Sequence, residues 1–349
     1  MTIYVDAAAL KAFTERVFAS AGLPPADAAI EADVLVWANL RGVDSHGVLR
    51  IPSYLSSIEK GGMNPTPDVR IVKETPAMAL IDADWAFGPV VTTDAMRRAI
   101  SKAREVGIGW VLIRNTTHQG AMGYYTTMAV EQGMVGLATV SNLPNMAPYG
   151  ASVRGLHNTP ISIGAPAGRH ESLLLDMATS VAAHGKISLA IDKGIDIPEG
   201  WALDGEGRVT TSPAAVVTLL PFGGYKGSDL AMMMEAMTSL MVGNPAIAPK
   251  LAGDPAQARS QNSFVAAMDI AMFTDLQVYQ ANVDALIDAL KGLPRAEGID
   301  EILVPGEPEA RVRQQRLREG IPLPDGTVRN LRAAVETLGL AMPAWLAEA

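Results

Sequence analysis

The chain of 349 residues contains no cysteine. Disulfides, thiolate nucleophiles and cysteine-ligated zinc are therefore excluded, and a reducing cytoplasm is the expected setting. Basic charge is also short: 28 Lys and Arg stand against 37 Asp and Glu, a formal charge of −9. Nucleic-acid binding, which needs clustered cations to displace counterions, is disfavoured. No uncharged apolar run reaches the ~18 residues that would mark a membrane span. The nearest, Leu230 to Val242, is broken by Glu235. Asp6, Lys11, Glu15 and Arg16 occupy the place where a signal peptide would need an apolar stretch. No two histidines have His-x-x-x-His spacing, so no metal is expected. The dinucleotide fingerprint Gly-x-Gly-x-x-Gly is missing too. Gly107-Ile108-Gly109 lacks its third glycine and sits at a strand start, and no Walker phosphate loop occurs.

What is present suits a folded α/β or α+β protein with a mixed sheet. Hydrophobic residues make up 48% and charged residues 19%. Leu10, Phe13, Val17 and Phe18 recur at helical spacing until Gly22, and Ala26 to Arg41 continues as a helix opened by Pro25. The middle alternates. Helices are expected over 92–106, 122–132, 226–242 and 276–290, the third rich in methionine that reads as core filler. Strands are expected over 107–113, 136–140, 160–163, 172–176 and 263–270. Helices return from about Glu307. This pattern predicts a helical domain made of 1–75 plus 307–349, and a mixed-sheet domain over 76–306.

Seven segments carry chemistry-bearing residues. In Asp44-Ser45-His46-Gly47-Val48-Leu49-Arg50, Asp44 or Ser45 can cap a helix on which His46, Arg50 and Tyr54 share a face, with Pro52 kinking or restarting it. An arginine there can grip a carboxylate, and the histidine can move a proton near neutral pH. Spacing alone also suits a solvated helix face. Thr117-His118-Gln119-Gly120 places a histidine in a strand-to-helix loop. Ser141-Asn142 follows a strand end, and His157-Asn158-Thr159-Pro160 reads as a turn. Asp176-Met177-Ala178 ends an apolar strand. Gly223-Gly224-Tyr225-Lys226-Gly227 opens a helix in a way that suits an anion. Pro305-Gly306-Glu307 by itself is a turn and helix start. His170 and His184 fit no pattern.

Together and in this order, the segments resemble the malate/L-lactate dehydrogenase family. That family also holds ureidoglycolate dehydrogenases, 2,3-diketogulonate reductases, sulfolactate dehydrogenases and Δ1-piperideine-2-carboxylate reductases. The resemblance implies a non-Rossmann fold that binds NAD or NADP, transfers hydride to and from a small 2-hydroxy/2-oxo carboxylic acid, and forms a homodimer. It implies His46 as the proton donor and acceptor, with Ser45 and Asp176 as its relay, and Arg50 as carboxylate clamp beside Tyr54. It places His118 in or beside the site, polarising the carbonyl or sharing the proton role. Ser141, Asn158, Asp176, Met177, Ala178, Tyr225, Lys226, Pro305, Gly306 and Glu307 would contact the cofactor. The chain departs from the family at Gln119, at Leu156-His157 and at Ser228-Asp229. Asp192 would disfavour a 2′-phosphate on the cofactor and Lys193 would welcome it, so NAD versus NADP stays open. Cyclic imine reduction and a catalytically silent, metabolite-binding relative are the alternatives.

Overall fold

The computed structural model describes residues 2–254 and 261–347. Strand β1 (Ile3–Val5) leads into α1 (Ala7–Ser20), whose first turn is capped by the Asp6 carboxylate accepting the Ala9 amide at 3.0 Å. Its buried Leu10, Phe13, Val17 and Phe18 have the spacing the sequence predicts. Helix α2 (Pro25–Leu40) starts on proline, where the missing amide costs nothing. The expected single helix from Asp44 to Tyr54 does not form. Two 3₁₀ turns, Asp44–His46 and Val48–Arg50, are separated by an extended Gly47 before α3 (Ile51–Glu59) begins. His46, Arg50 and Tyr54 therefore do not share one helix. Pro52 lies in the first turn of α3, so of its two expected effects it restarts a helix rather than kinking one.

The chain continues through β2 (Arg70–Glu74), β3 (Met78–Asp82), α4 (Gly88–Val106), β4 (Ile108–Thr116), α5 (Gly123–Val130), β5 (Met134–Ser141), β6 (Ile161–Ala165) and β7 (Leu173–Met177). Then come α6 (His184–Lys193), the short pair β8 (Ala202–Leu203) and β9 (Thr218–Leu219), α7 (Tyr225–Glu235), α8 (Ile247–Leu251) and β10 (Gln261–Asp269). Helices α9 (Leu276–Lys291) and α10 (Glu307–Glu319), β11 (Ile321–Leu323), α11 (Asp325–Thr337) and α12 (Ala344–Ala347) complete the described elements.

Seven strands form a mixed sheet in the order β2-β3-β4-β10-β5-β6-β7; only the β3–β4 pair is parallel. The sheet's first strand thus precedes residue 76. Helix α4 lies so close on β4 that a Cβ on Gly109 would fall 1.9 Å from the Ala99 carbonyl. A separate core joins the chain's two ends. Leu10, Phe18, Val48, Ile51 and Tyr54 pack there with Ile321, Leu331 and Leu346, and β1 pairs antiparallel with β11.

The long methionine-rich helix is shorter than expected. After Glu235 it widens into a π turn over Ala236–Leu240. Met232 and Met233 are each 55% exposed and so do not fill the core, whereas Met234 is buried. Among the described residues, no helix is long and apolar enough to cross a membrane.

Candidate active site

Two loops meet at the junction of the terminal core and the sheet. The rings of His46 and His118 stack with centroids 5.4 Å apart and planes 24° apart. The Tyr54 ring is packed in the core against Phe18 and Phe87, while its hydroxyl reaches His118 Nδ1 at 2.5 Å. The Gly120 amide also donates to His118 Nδ1, at 3.3 Å. A backbone amide can only donate, so Nδ1 accepts and the ring proton is assigned to Nε2. His46 is less constrained: its Nδ1 meets only the Ser45 hydroxyl, at 2.9 Å. A hydroxyl can donate or accept. Arg50 Nε donates to the Ser45 carbonyl at 2.6 Å, and Arg50, Tyr54 and His118 line a cavity of about 560 Å³.

Electrostatics keep both imidazoles neutral. Desolvation in the cleft, followed by the Arg50 charge, lowers His46 to about 4. Desolvation, His46, Arg50 and His157 hold His118 well below the ordinary histidine value. Burial pushes the Tyr54 phenol well up, so it remains a donor. His157 is lowered to about 4 by burial and by His184.

Several supports escape a reading of motifs. Asn39, buried on α2, accepts the Val48 amide at 2.9 Å and donates to Asp44 at 2.7 Å. A Cβ on Gly47 would fall 2.2 Å from Asn39 Oδ1. Arg316, on α10, clasps the Asp44 carboxylate at 2.6 and 3.0 Å. Asp44 is thus an anchor for the loop rather than a helix cap. On the other loop, Thr117 Oγ1 accepts the Gly88 amide at 3.1 Å, and a Cβ on Gly88 would fall 2.4 Å from the His118 carbonyl. Gln119, where the family often has another residue, ties the loop to β10 by donating to Ser263 Oγ at 2.7 Å. His184 opens α6, and a Cβ on the adjacent Gly185 would fall 2.6 Å from Ser45 Cβ. His184 is itself exposed, at a helix start that packs against Ser45. The one available signal was a polar Asn39 within an apolar helix.

Other expected residues fall elsewhere. The Asp176 carboxylate accepts the Gly123 amide at 2.7 Å and has no described hydrogen bond to Ser45 or His46. Its carboxyl is raised to about 6 by desolvation, against the lowering by the Gly123 amide and Arg41. Ser141 is fully buried and gives its hydroxyl to Glu235, so it is not free for a cofactor. The Asn158 amide group is shared between Asn145 and Ser180. Pro305 and Gly306 brace β7 and α2: the Pro305 carbonyl accepts Leu174 N, and the Gly306 carbonyl accepts from Arg41. Glu307 is held by Lys291 at 2.8 Å and Arg311 at 2.5 Å. These contacts give Pro305, Gly306 and Glu307 a structural explanation.

The start of α7, which the sequence suggests would suit an anion, is closely packed. A Cβ on Gly227 would lie 2.4 Å from the Thr179 carbonyl, so the start of α7 is pressed onto the segment that follows Asp176, Met177 and Ala178. Tyr225 and Lys226 are exposed there, and the buried Thr179 Oγ1 has no described partner. A free cation and a hydroxyl at a glycine-opened helix start fit a phosphate-bearing group. The side chains of Asp192 and Lys193 lie outside the described residues.

The chain's fold is that of the dehydrogenase class of oxidoreductases. The chain is a member of the malate/L-lactate dehydrogenase family, whose model matches residues 5–332. It is 39% identical over 323 residues to the L-sulfolactate dehydrogenase of Methanocaldococcus jannaschii, covering 91% of this chain and 92% of that one. The structure of malate dehydrogenase from Pyrococcus horikoshii superposes with a TM-score of 0.89 at 33% identity, covering 98% and 97% of the two chains. The Δ1-piperideine-2-carboxylate reductase of Pseudomonas syringae pvar. tomato gives a TM-score of 0.83 at 28% identity, covering 95% and 99%.

Proposed function

We propose that the protein is an NAD(P)-dependent dehydrogenase that interconverts a 2-hydroxy acid and the corresponding 2-oxo acid. The observation that carries this reading is the stacked His46–His118 pair beside Arg50 at a cavity. The nicotinamide, when bound, supplies the acceptor or donor of the hydride. Arg50 holds the substrate carboxylate through charge-assisted hydrogen bonds and so orients the α-carbon. His118, with Nδ1 occupied by Tyr54 and Gly120, directs its Nε2–H to the substrate oxygen and stabilises the charge that develops there. His46 exchanges the proton. In oxidation it takes the hydroxyl proton as the α C–H bond is lost as hydride; in reduction it returns a proton to the oxygen. Lys226 and the start of α7 hold a phosphate of the cofactor.

The same site would accept a cyclic 2-imino acid, and the likeness to the piperideine-2-carboxylate reductase supports that second reading. Following nicotinamide absorbance with 2-oxo acids and Δ1-piperideine-2-carboxylate, against NADH and NADPH in turn, separates the two. Turnover of an oxo acid alone upholds the first reading, and turnover of the imine alone replaces it. Silence with every pair would make the protein a binding relative.

A cytoplasmic homodimer accompanies this reading. Its support is the cysteine-free composition and the exposed strip of Met232, Met233, Leu240 and Met241, each 55–60% accessible. Light scattering giving a monomer mass would overturn the dimer.

A further inference from the structure

The strand that leads to His118 breaks its own rhythm just before it ends. Along β4, Gly109, Val111 and Ile113 are buried in alternation, as a strand with one covered face requires. Asn115 would continue the series, yet it is only half-buried and Thr116 is buried instead. The pairing with β10 shifts at the same point. Gln261 faces Thr116 but Ser263 faces Ile113, so β4 carries one extra residue across Arg114 and Asn115. This is a β-bulge.

Asn115 makes the bulge. Its φ of 53° lies in the left-handed region, which asparagine tolerates better than most side chains do. Consecutive carbonyls of a regular strand point to opposite edges. Here the Arg114 and Asn115 carbonyls both turn to the segment after β3, accepting Ala83 N at 3.0 Å and Trp85 N at 2.7 Å. Side chains serve the other edge. The Asn115 amide donates to Asn262 Oδ1 at 3.4 Å. The Asn115 side chain donates to Asp82 at 3.0 Å and accepts from Asn244 at 2.9 Å. Asn244 also donates to Asn262, which is fully buried. Among the described residues, the non-glycine positions with left-handed backbone are Asp84, Trp85 and Asn115, and they adjoin through the Trp85–Asn115 bond. Strain gathered at one spot and braced from several sides marks a geometry that the fold enforces.

What that geometry changes lies downstream. One extra residue exchanges the two faces for every side chain after it. Without the bulge, Thr117 and His118 would leave the strand turned the other way. We infer that Asn115 is a positioning residue: its bulged, left-handed backbone swings the end of β4 so that His118 meets His46 and Tyr54. The catalytic use of His118 rests on the dehydrogenase reading; the aiming of its ring does not.

The test compares Asn115→Gly with Asn115→Val in the full-length enzyme. Glycine enters the left-handed region freely, whereas a β-branched side chain is an outlier there. The expected kcat of Asn115→Val is about 100-fold below the parent's, the size of an ångström-scale misplacement at a reacting centre. KM for the carboxylate substrate should hold, because Arg50 sits on the other loop. Asn115→Gly should keep most of the parent's kcat. In a His118→Ala background, Asn115→Val should lower kcat no further. Asn115→Ala, a milder misfit, takes the place of the valine variant if that one does not fold. Nitrogen-15 spectra of the histidine rings read the aim without turnover. His118 Nδ1 should be an acceptor in the parent and in Asn115→Gly, and should lose that signature in Asn115→Val. Parent-like kcat in Asn115→Val would overturn the inference. So would an Asn115→Gly as impaired as Asn115→Val, or a loss that multiplies with that of His118→Ala. An altered His118 signature in a protein that turns over no substrate upholds the aiming and sinks the redox reading. Turnover with an unaltered signature does the reverse.

Discussion

The two loops that carry the stacked histidines are built on different principles. The loop of Asp44 to Arg50 is two 3₁₀ turns rather than one helix, and side chains from outside hold it: Asn39 on α2 and Arg316 on α10. The loop of Thr117 to Gly120 is held by its own side chains, Thr117 on the Gly88 amide and Gln119 on Ser263, and by close approach to α4 at Gly88. The imidazoles differ in the same way. His118 has two donors at Nδ1 and one tautomer, whereas His46 faces a serine hydroxyl that can donate or accept. Reversible hydride chemistry needs one of each: a fixed donor that polarises an oxygen, and a group free to gain and lose a proton.

The sharpest way to break this comparison is to remove the His46 ring, to which the proposed function gives the proton exchange. His46→Ala should lower kcat in both directions by roughly 100- to 10,000-fold with cofactor affinity little changed. An unaltered kcat would transfer the proton role to His118. Next in size, Arg50→Ala should reduce kcat/KM for carboxylate substrates by about 10- to 100-fold, chiefly through KM, since a hydrogen bond to a charged group is worth roughly 1.5–3 kcal/mol. Steady-state kinetics with unchanged KM would remove the clamp.

Smaller effects probe the supports. Asn39→Ala leaves the Val48 amide without its acceptor and should destabilise the fold by about 1–3 kcal/mol, read in thermal melts. An equal loss from Thr117→Ala would show that the two loops are anchored alike. Smallest is the pH signature. Because His46 is held at about 4, its base form persists below the ordinary histidine range and is lost as pH falls through about 4. In the oxidation direction kcat/KM should stay level from neutrality towards pH of about 5. An acid limb near the ordinary histidine value of about 6.5 would contradict this environment for His46.

The contrast between the loops also separates what is legible in a sequence from what is not. Leu10, Phe13, Val17 and Phe18 announce their helix because spacing along a chain is a local property. The strand expected over 107–113 is legible for the same reason, through its apolar run, although it begins at Ile108, after a left-handed Gly107, and runs on to Thr116. The helix proposed from Asp44 to Tyr54 failed at Gly47, where the side chain of Asn39 requires a backbone approach that no local pattern records. Met232 and Met233 looked like core because hydrophobicity does not state which face meets solvent. Ser141 and Glu307 sit in telling motifs, yet Glu235, Lys291 and Arg311 engage them from other parts of the chain.

The sequence by itself determined the class of fold, the residue types of the site and the absence of thiol chemistry, because composition and short motifs carry that information directly. Only the tertiary structure decided which residues meet. It stacked His46 on His118 across 72 positions of chain, gave His118 its tautomer through Tyr54 and Gly120, and set β10 between β4 and β5. The physical reason is that hydrogen-bond geometry and desolvation depend on distance in space, which sequence separation does not encode.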